Sequence, residues 1–133
     1  MIRSCGCGNI EIDWDTKASP LVARKCSCDY CVSSEAEYAS DSGSVVNIQI
    51  KDKEKYRVVK HGHGTAEFRE CINCGVIVVT SKIDRTNYCV VNIKALGFKG
   101  YEVDTIIKNY EGESTAQRLR RRKENWCKAH VIS

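Results

Sequence analysis

The sequence predicts a mainly β fold, built around zinc knuckles and closed by one C-terminal helix. Three observations carry that prediction. Short runs rich in β-branched residues are present, and a separate run at 10–14 alternates with strict period two. A capping box precedes one helical stretch near the end of the chain. Cysteines gather in tight clusters at metal-ligand spacing.

The elements follow in chain order. Ile10, Ile12 and Trp14 alternate with Glu11 and Asp13, the pattern of a half-buried strand. Ser44–Ile50 (SVVNIQI), Val76–Thr80 (VIVVT) and Tyr88–Lys94 (YCVVNIK) read as strands from their β-branched content, and Lys55–Lys60 (KYRVVK) as a further short one. Ser40–Ser44 (SDSGS) and the run His61-Gly62-His63-Gly64 mark turns. Ser114 and Gln117 form the capping box, and 115–128 reads as a helix with Ala116, Leu119 and Trp126 near one side.

At 133 residues the chain suits one domain spanning 1–133, since two cores of half that size would each be marginal. Its 42% hydrophobic content can build a core, although only 2 Trp, 6 Tyr and 2 Phe supply aromatic area. No run approaches 18 consecutive apolar residues, which excludes a membrane-spanning helix. The opening MIRSC has no apolar h-region, so no secretory leader is expected. The expected setting is therefore cytoplasmic, where thiols stay reduced.

The net charge of +4 is unevenly placed. Six of the 21 basic residues and one of the 17 acids lie in 116–133, leaving 15 and 16 in the body. A near-neutral body argues against a broad nucleic-acid face. The basic helical tail, from about 114, could hold phosphate or an acidic protein, or could simply be a solvated helix face.

Nine cysteines are many for a reduced compartment, and seven of them are clustered. Cys71-Ile72-Asn73-Cys74-Gly75 is a well-formed zinc knuckle, and Cys5-Gly6-Cys7-Gly8 is its tighter counterpart. Pairing Cys5 and Cys7 with Cys71 and Cys74 gives a four-sulfur structural site. Cys26, Cys28 and Cys31 instead come from one six-residue segment. Three ligands with an open fourth position are what catalytic zinc requires. Arg24 and Lys25 precede the triad and could favour its thiolates or hold an anionic substrate.

Other readings stand beside these. The odd cysteine count and the reducing setting weigh against disulfides. The triad could be a second structural site, with His61, His63 or Cys89 as fourth ligand. Against that, the histidines read as turn residues and Cys89 as a small buried residue on a strand. Cys127, beside Trp126, is either packed or exposed.

The order and spacing of the three clusters resemble the glutathione-dependent formaldehyde-activating enzyme family, which also includes the centromere protein V group. Val91-Asn92-Ile93-Lys94-Ala95-Leu96 and Tyr110-Glu111-Gly112 resemble two later family segments, so the likeness runs from about residue 3 to 112. The chain departs at Val32, where members often carry a basic residue, and at Phe68-Arg69-Glu70 before Cys71. The resemblance implies a β-tent of packed antiparallel sheets and two Zn²⁺ per chain. It assigns a structural ion to Cys5, Cys7, Cys71 and Cys74 and a catalytic one to Cys26, Cys28 and Cys31. The implied activity is that of a carbon–sulfur lyase joining glutathione, the co-substrate, to formaldehyde or a related aldehyde. Two alternatives remain open: a binding module using the basic helix on nucleic acid or an acidic protein, and a protein whose zinc sites are both structural.

Overall fold

A computed structural model describes residues 2–16, 21–26, 36–61, 65–97, 103–108 and 112–132, with residues 21, 25, 26, 61 and 103–108 described by backbone alone. The strands are β1 (Ile2–Ser4), β2 (Ile10–Trp14), β3 (Leu21–Cys26), β4 (Tyr38–Ala39), β5 (Val45–Ile50), β6 (Tyr56–His61), β7 (Ala66–Cys71), β8 (Gly75–Ile83), β9 (Thr86–Asn92), β10 (Val103–Lys108) and β11 (Cys127–Ile132). A 3-10 turn spans Lys53–Lys55, and helix α1 spans Thr115–Asn125.

These strands form one mainly antiparallel sheet that forks at β9. One edge of β9 pairs with β8 from Val78↔Val91 to Ile83↔Thr86. Its other edge is shared: Tyr88 and Cys89 face β11, whereas Val91 and Asn92 face β4. Three arms leave this spine. The first runs β11-β5-β2-β1, the second β4-β3-β10, and the third β8-β7-β6. Two pairings are parallel, β11 with β5 and β10 with β3.

The alternation read from the sequence sets the register of the first arm. Ile10, Ile12 and Trp14 stand opposite Ile50, Ile48 and Val46, and all six side chains are buried. A one-residue slip would turn this whole set to solvent. The Trp14 indole Nε1–H donates to Ser44 Oγ at 2.9 Å, so burying that ring leaves no orphaned donor. β8 and β9 are apolar on both faces because both are covered. Ile77, Val78, Cys89 and Val91 pack into one cluster with the first arm. Val76, Val79, Tyr88 and Val90 pack into a second, which Leu119 and Trp126 close.

The C-terminal segment differs from the sequence expectation. The capping box is present, with Gln117 N–H donating to Ser114 Oγ at 3.1 Å and Ser114 N–H to Gln117 Oε1 at 2.9 Å. The helix stops at Asn125, however, because Trp126 takes an extended backbone and β11 follows. β11 has parallel partners in β5, and these pairings outweigh the helix propensity of a short terminal run. Ala116 is exposed; the residue that the helix buries is Arg122. Its Nη1 donates to Thr65 Oγ1 at 2.8 Å and Ser81 Oγ at 3.1 Å, and its guanidinium lies 5.2 Å from the Trp126 ring centre. Burial, with the Arg121 and Arg118 charges, pulls its pKa down to about 10. The basic run is therefore divided by function. Arg118 and Arg121 hold Glu113, Lys123 reaches Asp84 at 3.3 Å, and Arg122 is core.

Candidate metal centre

Cys5 directly follows β1, and Cys7 lies in the turn that returns the chain into β2. Cys71 is the last residue of β7, and Cys74 lies in the turn into β8. The same local folding makes both knuckles. Gly8 N–H donates to Cys5 O at 2.8 Å, and Cys74 N–H to Cys71 O at 3.2 Å. Each turn closes on a glycine with left-handed backbone, Gly8 at φ 80° and Gly75 at φ 89°. Only glycine takes that conformation without a Cβ penalty.

A third segment joins the two knuckles. Buried Asn9 donates from Nδ2 to Asp52 O at 3.1 Å and Lys55 O at 3.3 Å, and its Oδ1 accepts from Asp52 N–H at 2.6 Å. From the other side, Ile72 N–H donates to Lys55 O at 3.0 Å. The 52–55 turn is thus a common brace. Sequence reading passed over Asn9, although its place directly after the Cys-Gly-Cys-Gly run was a usable signal.

The outcome is four sulfurs lying within 4.8 Å of one another. Cys7 and Cys71 Sγ are 3.4 Å apart, and Cys5 and Cys7 Sγ 3.7 Å. A tetrahedron of zinc–sulfur bonds of about 2.3 Å has edges of about 3.8 Å, so the spacing fits a single ion. Main-chain amides point at the sulfurs: Ile10 N–H at Cys5 Sγ and Cys7 N–H at Cys74 Sγ, both at 3.4 Å.

The electrostatics match a dication. The Asn9 amide, then the Cys71 and Cys74 thiols, lower the Cys7 pKa to about 6. Burial raises Cys71, and burial also pushes Cys74 up to about 12. Without a cation, then, Cys7 ionises readily while Cys71 and Cys74 resist. A metal ion reverses this by neutralising the further charges.

Of the remaining predicted residues, only some are described. Cys26 ends β3, where its backbone pairs with Lys108 of β10; Cys28 and Cys31 lie outside the described residues. So does His63, and His61 is described as the last backbone position of β6. Cys89 and Cys127 are buried on β9 and β11, apart from the four-sulfur cluster. Asn92 is a buried brace: Nδ2 donates to Val76 O at 2.8 Å, and Oδ1 accepts from Glu37 N–H at 3.3 Å and Ala95 N–H at 3.4 Å. Among the described residues, no helix is long and apolar enough to cross a membrane.

Comparison with known proteins agrees with this architecture. No curated protein matches the chain. A Rhodobacter sphaeroides protein, solved as a structural-genomics crystal structure, is similar in fold, with a TM-score of 0.55 at 21% identity over 87% of this chain and 93% of that one. The model of one family, the glutathione-dependent formaldehyde-activating enzymes, matches residues 1–113 and so takes in all three cysteine motifs. The chain belongs to the glutathione-dependent formaldehyde-activating enzyme family.

Proposed function

We propose that the chain is a single zinc-binding domain with thiol–aldehyde activity, joining glutathione or a related thiol to formaldehyde or a related aldehyde as a carbon–sulfur lyase. The observation that carries this reading is the family match across all three cysteine motifs, together with the assembled four-sulfur cluster. In it, Cys5, Cys7, Cys71 and Cys74 hold a structural zinc, and Cys26, Cys28 and Cys31 hold a catalytic one. When bound at the triad, zinc supplies an electrophilic centre with an open fourth position.

The chain's own residues give the reading a physical basis. β3 delivers Cys26 from within the sheet, so the first triad residue starts from an ordered backbone. On the same strand, Arg24 donates to Ser40 Oγ at 3.3 Å, which fixes a cation two residues before the triad. A fixed cation there suits an anionic thiol, and it lowers the entropy lost in bringing thiol and aldehyde together.

The test is adduct formation between glutathione and formaldehyde, followed by NMR with the metal-loaded protein. Faster formation that is lost in Cys28→Ser supports the reading. A metal-loaded protein that neither binds glutathione in calorimetry nor accelerates the reaction overturns it.

A further inference from the structure

β9 and β11 are antiparallel neighbours, and their register sets Cys89 directly opposite Cys127. Directly opposed residues in such a pair hold their Cα atoms about 4.5–5.5 Å apart, inside the roughly 4.4–6.8 Å that a disulfide spans. Both residues are 0% exposed, within the first apolar cluster. Cys89 is the strongest influence on the ionisation of Cys127. Cys127 Sγ also accepts from Asp41 N–H at 3.2 Å and Ser44 Oγ–H at 3.3 Å.

Two donors therefore converge on the Cys127 sulfur, which divides the labour within the pair. Cys89, then these two donors, bring the Cys127 pKa down to about 7, while burial pushes Cys89 well above the usual thiol range. A proton therefore leaves Cys127 more readily than Cys89. Neither sulfur is in the metal cluster.

We propose that Cys89 and Cys127 are an oxidisable dithiol, a modification site that a hydroperoxide closes to a cross-strand disulfide. The Cys127 thiolate attacks the peroxide; the O–O bond breaks, an alcohol or water leaves, and a sulfenic acid remains. Cys89 sulfur then attacks Cys127 sulfur, the S–S bond forms, and the S–OH group departs as water with the Cys89 proton. In balance, two thiols and one hydroperoxide give one disulfide, one water and one alcohol, or a second water for hydrogen peroxide. Two electrons pass from sulfur to peroxide oxygen. A hydroperoxide is the fitting oxidant because it is small. Cys127 lies beneath the 41–44 turn, whose Ser42 and Gly43 are exposed, so entry requires that turn to shift and not the sheet to part.

The test is peptide mapping of the metal-loaded protein after hydrogen peroxide treatment, denaturation with alkylation, and trypsin. Cleavage after Arg85 and Lys123 yields TNYCVVNIK and ENWCK, each with one cysteine. The expected product is these two peptides joined, 2 Da below their summed mass, and separated again by a reductant. In Cys89→Ala the joined species should vanish and Cys127 should accumulate as a sulfenic acid, trapped by dimedone. Recovery of both peptides singly alkylated from peroxide-treated wild type overturns the proposal. So does Cys127 joined to any other cysteine, and neither result depends on a variant folding.

Discussion

Cys7 and Cys71 hold their sulfurs 3.4 Å apart across a separation of 64 positions in sequence. The contact ties the β1–β2 turn of the first arm to the β7–β8 turn of the third. An ion bridging four such sulfurs can contribute about 10–16 kcal/mol in apparent binding, comparable with a domain's total stability of about 5–15 kcal/mol. Replacing Cys74 by Ser, or stripping the metal with a chelator, should therefore unfold the protein at room temperature. The Cys28→Ser protein should instead melt within about 1 kcal/mol of wild type while losing the second metal. Circular dichroism melts paired with metal counts check both, and equal losses in the two variants would refute the division between structural and catalytic sites.

Metal loading at this cluster should depend steeply on pH. Cys71 and Cys74 lie above the usual thiol range, so both carry protons at neutral pH when no metal is present. Binding must expel at least those two. The affinity should accordingly fall at least a hundredfold, roughly 2.7 kcal/mol, for each pH unit lowered near neutrality. Cys7 is already a thiolate above about pH 6 and adds nothing in that range. Below about 6 it takes up a proton, and the dependence steepens by a further tenfold per unit. Competition against a chromophoric chelator across pH measures the slope, and a slope of one proton or fewer would disprove this ionisation pattern.

Asn9 is the residue on which the junction of the two knuckles turns. Its side chain satisfies one N–H and two carbonyls of the 52–55 turn. Asn9→Ala should cost about 2–4 kcal/mol, because the Asp52 N–H loses its acceptor and both carbonyls lose one of their donors. Asn9→Asp keeps the acceptor and loses both donations, so it should be no better than alanine. Faster release of metal to excess chelator should accompany either change, since the brace to Lys55 O is then held by Ile72 alone.

Sequence reading reached the metal cluster and the inner strands for one reason: both depend on local chemistry. Cysteine spacing is a property of a short turn, and the alternation at 10–14 is a property of one strand. What escaped it depends on partners. β7 (AEFREC) carries charges at positions where Glu70 is buried by an ion pair with Arg57 at 3.0 Å, so no apolar pattern marks it. β11 is a strand because β5 and β9 flank it, and nothing within CKAHVI announces those neighbours. Arg122 reads as one more basic residue in a solvated run, yet two hydroxyls and a tryptophan face make it core. The cross-strand meeting of Cys89 with Cys127 was invisible for the same reason.

The glycines of the two knuckles offer the sharpest separation of conformation from space. A Cβ added at Gly8 or at Gly75 would meet nothing within 4 Å, yet both residues sit at positive φ. Alanine at either position should cost about 1–2 kcal/mol from backbone strain alone. A Cβ at Gly6 would lie 3.9 Å from Cys74 Sγ, an ordinary van der Waals contact, and Gly6 is not at positive φ. Gly6→Ala should therefore stay within about 0.5 kcal/mol of wild type. For a chain of this size 1 kcal/mol corresponds to a shift of roughly 3–6 °C in Tm, so thermal melts of the three metal-loaded variants resolve the difference. If Gly6→Ala falls as far as Gly8→Ala, crowding around the sulfurs and not left-handed backbone is what these glycines relieve.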